Sequence, residues 1–133
     1  MGRLKTPRSP LKPAPSTMPQ PLRRGSARER GYDALWDKES RAFRRANPYC
    51  LGCAAVGLLE ATTVTDHTVP HRQERRLLRD PKNRQPSCDW HHNVVKPILE
   101  RRYEAGELLP EDLRLDSAEA IALTRELLPA RKA

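Results

Sequence analysis

Apolar positions recur at helical spacing in three stretches and at strand spacing in one. Asp33 is placed to cap a first helix running to about Ala46. Trp36 and Phe43 lie seven apart in it, with Leu35, Ala42 and Ala46 close to the same side. Pro48 stops it, because a residue before proline is pushed out of the helical region. Arg41, Arg44 and Arg45 decorate its other side, as a solvated face or a phosphate-facing one. Residues 61–69 carry the β-branched run Thr62-Thr63-Val64-Thr65 and read as a short strand ended by Pro70. Pro81 and Pro86 leave room only for a very short second strand near Asn83 to Ser87. Residues 89–105 predict a second main helix with Val94, Val95, Ile98 and Leu99 at helical spacing, kinked by Pro97 and stopped by Gly106. A last helix is predicted from Asp116, with Glu119 as capping-box partner and Ala120, Ile121, Leu127 and Leu128 inward. Two short strands among these helices predict an α+β fold.

Composition limits what such a chain can bury. Only 37% of the 133 residues are hydrophobic and 32% are charged, so a small domain of this kind needs a metal or a disulfide to supplement its core. The net charge of +8 is unevenly placed. Residues 1–30 hold eight Lys and Arg against one acid, Glu29, and six of the thirteen prolines fall between Pro7 and Pro21. A basic, Pro-rich segment cannot offset its ordering entropy, so residues 1–29 are expected to be a disordered tail, able to add nonspecific phosphate contacts. Residues 100–126 hold eight acids and four bases, so this end is expected to face away from a polyanion. No stretch approaches the ~20 apolar residues of a membrane span, and no apolar run follows the basic N-terminus as in a secretory signal. The expected setting is the cytoplasm, where an odd cysteine count fits reduced thiols.

The cysteines fall into a pattern that carries chemistry. Cys50-x-x-Cys53 and Cys88-x-x-His91 are two pairs at zinc-knuckle spacing, a Cys₃His set suited to a closed structural zinc site. Asp66-His67 ends the first strand, and His92 directly follows His91. Successive helical residues point ~100° apart, so His91 can face the zinc while His92 faces a second site.

The order Cys50-x-x-Cys53, Asp66-His67, Val69-Pro70-His71, Asp80, Asn83, Cys88-x-x-His91-His92, Lys96, Glu100 resembles the zinc-bearing HNH endonucleases of phages and prophages. The Arg30 to Asp33 segment, Trp36 and Pro48 extend the likeness upstream, over roughly residues 30–100. The resemblance implies a ββα-metal fold in residues 30–106, with residues 107–133 as a helical extension. It implies that His67 is the general base, that Asp66 and His92 hold a catalytic divalent cation, and that Asn83 holds the hairpin loop and orients the His67 ring. It further implies that Cys50, Cys53, Cys88 and His91 are the ligands of a structural zinc ion. Magnesium or manganese would suit an oxygen-rich catalytic shell, and nickel, cobalt or zinc would accept the imidazole. The loop cations Arg72, Arg75, Arg76, Arg79, Lys82 and Arg84, with Lys96 one turn after His92, are expected to grip the phosphate backbone of double-stranded DNA.

Departures from the family pattern fall at Arg79, Pro86, His91 and Pro97 and leave Asp66, His67, Asn83 and His92 intact. The expected activity is metal-dependent hydrolysis of DNA phosphodiesters, by analogy in phage genome processing beside packaging proteins. The competing expectation is a zinc-held DNA-binding module without catalysis. Such a module needs the Cys₃His set but has no use for Asp66, His67, Asn83 and His92 together.

Overall fold

Asp33 starts the first helix as expected, its carboxylate accepting from Trp36 N at 2.9 Å. The computed structural model describes Gly2 and residues 33–132, so the tail expected at 1–29 lies outside the described residues. Helix α1 (Ala34–Ala46) ends at Asn47, before Pro48. Its inward face differs from the predicted one: Trp36 and Ser40 are buried and Phe43 half-buried, while Leu35, Ala42 and Ala46 are exposed. The helix lies on a narrow two-stranded ribbon that accepts one aromatic and a line of polar groups rather than a broad apolar stripe.

That ribbon pairs β1 (Val64–His67) antiparallel with β2 (Arg84–Ser87), in the register Val64–Ser87, Thr65–Pro86, Asp66–Gln85 and His67–Arg84. The regular strand is shorter than the predicted 61–69; Ala61 forms an isolated bridge to Tyr49 instead. Strand alternation puts successive side chains on opposite faces. Thr65, His67 and Arg84 accordingly meet α1: Thr65 bonds Ser40, His67 stacks on Trp36, and Arg84 lies over the Trp36 ring. Asp66 and Gln85 take the other face and bond each other at 2.8 Å.

Between these strands lie helix α3 (Arg75–Arg79) and a 3-10 turn (Pro81–Asn83), and before them helix α2 (Leu51–Ala54) forms the Cys50–Cys53 knuckle. After β2 the chain runs through a π turn (His91–Val95) into α4 (Lys96–Glu104). The kink expected from Pro97 is absorbed there. Proline lacks an N–H and clashes with the preceding turn, and a widened turn ahead of it removes both problems.

Leu108, Leu113 and Leu115, in the segment leading to helix α5 (Ala118–Lys132), bury against Val95, Leu99 and Ala120 as the main apolar core. Ser117 caps α5, its Oγ accepting from Ala120 N at 3.1 Å. This replaces the expected Asp116–Glu119 capping box, and Glu119 pairs with Arg102 instead. Of the predicted inward residues only Ala120 is fully buried, joined by Thr124, while Ile121, Leu127 and Leu128 are half-buried. Among the described residues no helix is long and apolar enough to cross a membrane.

Gln85 ties the ribbon to this core. Its Nε2 donates to Asp66 Oδ2 and to Leu113 O (3.1 Å), and its Oε1 accepts from Leu115 N (2.8 Å). Replacing Gln85 with Leu strands two buried backbone groups, so the expected cost is about 2–4 kcal/mol. Urea unfolding of Gln85→Leu beside wild type measures it; a loss near zero would show that these bonds are not needed.

Candidate metal centre and cleft

The two knuckle pairs meet at one point. Cys50, Cys53, Cys88 and His91 are all buried, and their ligand atoms lie within 4.8 Å of one another, close enough to hold a metal ion. Cys53 and Cys88 sulfurs are 3.8 Å apart. His91 Nδ1 lies 3.6 Å from Cys50 Sγ and 3.4 Å from both Cys53 and Cys88 Sγ. A tetrahedral ion with bonds of zinc length would span edges of about 3.8 Å between sulfurs and about 3.6 Å between sulfur and nitrogen. The thiols also load one another unfavourably. The hydrogen bond with Cys50 and burial push the Cys88 thiol up to about 12, and burial with the nearby Cys88 charge pushes Cys53 up to about 11. Cys50 is shifted downward, chiefly by that same bond from Cys88. One thiolate can exist easily here and three cannot, unless a cation lies between them.

The imidazole is set for this role by two residues that the ligand spacing does not reveal. Thr124 Oγ1 stands 3.1 Å from His91 Nε2, and its hydroxyl donates to Ala120 O at 2.8 Å. The hydroxyl hydrogen is thereby used, so Nε2 carries the donated proton and Nδ1 keeps its lone pair toward the sulfurs. Gly52 lies under the same ring: a methyl group there would sit 2.5 Å from Nε2. The sequence marks Gly52 only as a turn residue and Thr124 not at all, since Thr124 is 33 residues from its partner. At the far end of α5, Arg131 grips Glu60 through both carboxylate oxygens and lies over Trp90, closing the knuckle from outside.

A second site opens beside β1, in a cleft of about 700 Å³ lined by Asp66, His67, His71 and His92 among others. Asp66 Oδ1 is 3.0 Å from His92 Nδ1, so the adjacent histidines do turn to different sites. Asp66 Oδ2 takes Gln85 and the Lys96 ammonium, the latter at 3.0 Å. Burial alone would raise the Asp66 carboxyl; His92, Lys96 and Gln85 together hold it below the usual carboxylate range. The Asp66 bond raises His92, against burial. His67 stacks on Trp36 with centroids 4.7 Å apart, and His71 meets it edge-on at the same distance. His67 Nε2 lies 3.2 Å from Leu78 O, an acceptor only, so Nε2 bears the proton and the basic lone pair is on Nδ1. Burial pushes His67 down to about 4, the Leu78 bond partly opposing, so the ring is neutral near pH 7.

Asn83 holds the intervening loop from both sides. Its Oδ1 accepts from Val69 N at 2.8 Å, and its Nδ2 donates to Val69 O and Leu77 O. These bonds fix the loop whose next carbonyl, Leu78 O, holds the His67 ring.

The expected phosphate-gripping cations divide. Arg75, Arg76 and Lys82 are exposed, as is Arg72, which pairs with Glu104. Lys96 is a correction: it is 1% exposed and committed to Asp66, Glu100 and His67 O. A buried ammonium needs such partners to offset its lost hydration. Arg84 turns inward to Glu39, and Arg79 to Asp33, both drawn by carboxylates 45 and 46 residues distant. The i,i+4 spacing of Lys96 and Glu100 was a signal for the first; no local pattern announces the other two.

Comparison with protein-family models, with curated proteins and with solved structures finds no match for the chain.

The chain is expected to bind one metal ion tightly at the Cys₃His centre, read by native mass spectrometry. Gly52→Ala, which drives a methyl into the His91 ring, is expected to lose the ion. Thr124→Val is expected to weaken it about 10–100-fold in chelator competition. Retention of the ion at wild-type affinity in both variants would mean that the His91 surroundings do not set the site.

Proposed function

We propose that the protein is a metal-dependent DNA endonuclease of the HNH class, with a structural zinc ion at Cys50, Cys53, Cys88 and His91. The observation that carries this reading is the meeting, in one open cleft, of a neutral histidine of fixed tautomer with a charged carboxylate–imidazole pair. The Asp66 bonds to Gln85 and Lys96 also brace the ribbon, but a scaffold that only binds DNA has no use for His67 and His92 meeting Asp66 in the same cleft.

Zinc suits the first centre because three thiolates and one imidazole at tetrahedral spacing form a closed, soft donor set. At the second, Asp66 Oδ1 and His92 Nδ1 face each other across a hydrogen bond that a divalent cation would replace, and the cleft leaves room for water and phosphate oxygens. These two residues would hold the ion, which supplies charge stabilisation for the phosphorane-like transition state and the leaving oxygen. Lys96 and Gln85 keep Asp66 aimed and ionised. His67 Nδ1 accepts the proton of the attacking water, and the Leu78 carbonyl prevents the ring from presenting Nε2 instead. Asn83 keeps that carbonyl in place through the loop. The exposed cations Arg72, Arg75, Arg76 and Lys82 supply sequence-independent contacts to the duplex backbone.

Plasmid cleavage tests the reading. Supercoiled DNA is expected to become nicked or linear with magnesium, manganese or nickel and to stay intact with EDTA. His67→Ala is expected to slow cleavage about 10²–10⁴-fold while keeping its zinc. Intact plasmid in every metal, with the DNA still retarded on a gel by both proteins, would sink the nuclease and leave a zinc-held DNA-binding module. In the same assay Arg75→Ala with Arg76→Ala is expected to weaken duplex binding and flatten its salt dependence by about two phosphate contacts.

A further inference from the structure

Six arginines among the described residues are half-buried, and five of them have a carboxylate. Arg79 takes Asp33, Arg84 takes Glu39, Arg102 takes Glu107 and Glu119, Arg114 takes Asp116, and Arg131 takes Glu60. Arg44 is the sixth, and no carboxylate lies within ion-pair distance of it among the described residues. It lines the cleft that holds Asp66, His67 and His92.

Its side chain is nevertheless held. Arg44 Nη1 donates to Ser40 Oγ at 2.5 Å, Ser40 Oγ donates to Thr65 Oγ1 at 2.7 Å, and Thr65 Oγ1 donates to Ser40 O at 3.2 Å. Ser40 and Thr65 are buried, and Thr65 directly precedes Asp66 in β1. The guanidinium is thus fastened by one nitrogen to Ser40 of its own helix, and through Ser40 and Thr65 to the strand that carries the Asp66 carboxylate. Five N–H groups belong to a guanidinium, and one anchor leaves a fork for a bidentate partner. Both Arg44 and Arg45 stand in the last turn of α1, where a cation suits the helix C-terminus, and of the two only Arg44 lines the cleft.

We infer that Arg44 is the anion clamp of the cleft, binding the non-bridging oxygens of the phosphodiester that lies against Asp66 and His67. The inference rests on the nuclease reading for the identity of the anion and on the unpaired, anchored guanidinium for the site. A phosphodiester is a monoanion whose two free oxygens match a guanidinium fork. Arg44 therefore acts on the reacting group itself, whereas the exposed loop cations act on the duplex at large.

That distinction gives the test. Bis(p-nitrophenyl) phosphate is a phosphodiester with no groove and no neighbouring phosphates. With zinc-loaded full-length protein and manganese, Arg44→Ala is expected to lower turnover of both this diester and plasmid about 10²–10³-fold. Arg44→Lys is expected to recover part of the loss, as a point charge without the fork. Arg45→Ala is expected to leave both rates within about twofold of wild type, a surface substitution away from the site. Zinc content and melting temperature, measured for each variant, separate loss of the clamp from loss of the fold. If wild type turns over the diester and Arg44→Ala matches it, the clamp is overturned while the nuclease stands. If wild type cleaves neither substrate, the nuclease reading falls, and titration with inorganic phosphate by calorimetry decides the clamp. Saturable binding lost in Arg44→Ala upholds it, and no binding to wild type overturns it.

Discussion

Three sulfurs and one imidazole nitrogen crowded into a buried pocket are the condition on which the rest of this structure hangs. As bare thiols they oppose one another's ionisation. Bound to a cation, the same crowding becomes a joint among segments that share little apolar surface: α2, the end of β2, the π turn and, through Thr124, helix α5. The apolar core proper is six residues, Val95, Leu99, Leu108, Leu113, Leu115 and Ala120, gathered on one side of the ribbon. On the α1 side the ribbon meets one tryptophan and a chain of hydrogen bonds. A fold so thin on that side needs a fixed point, and the metal centre is placed where it can serve as one.

Fixing His91 also fixes the cleft. The π turn carries His91 into the centre and His92 out to Asp66, so both imidazoles are set by one short stretch of backbone. β1 performs the matching division, with Asp66 toward Gln85 and Lys96 and His67 toward Trp36. Lys96 then bridges the two, its ammonium bonded to the Asp66 carboxylate and to the His67 carbonyl. In the proposed nuclease the metal-binding carboxylate and the base are therefore positioned by one buried charge, and the structural and catalytic ions are joined by one peptide bond.

How much of this could be read from the chain depends on the range of the interaction. Ligand pairs at x-x spacing, the Asp66-His67 dipeptide, the short second strand and the stop at Pro48 are local, and the structure places them as the pattern implies. The buried faces of α1 and α5 differ from the predicted ones because the period predicts which residues share a side, while burial depends on what that side meets. α1 meets a strand presenting Thr65 and His67, so Ser40 goes in and Leu35 stays out. Leu108, Leu113 and Leu115 carry half of the core from a segment with little helical period, and nothing local marks them.

Charge was the least legible property, for a physical reason. A cation in a polar loop reads as solvent-facing unless its counter-ion is visible nearby, and Asp33 and Glu39 stand far from Arg79 and Arg84 in sequence. Once the carboxylates are assigned, the electrostatic map changes. Arg79, Arg84 and Lys96 are spent on the fold and Arg72 pairs with Glu104, so of the loop cations Arg75, Arg76 and Lys82 stand exposed without a carboxylate among the described residues, with Arg44 lining the cleft. The seven-cation grip that the sequence suggests becomes three outer cations beside one at the cleft. In the proposed nuclease that arrangement would hold any duplex loosely and a single phosphodiester closely, as hydrolysis without strong sequence preference requires.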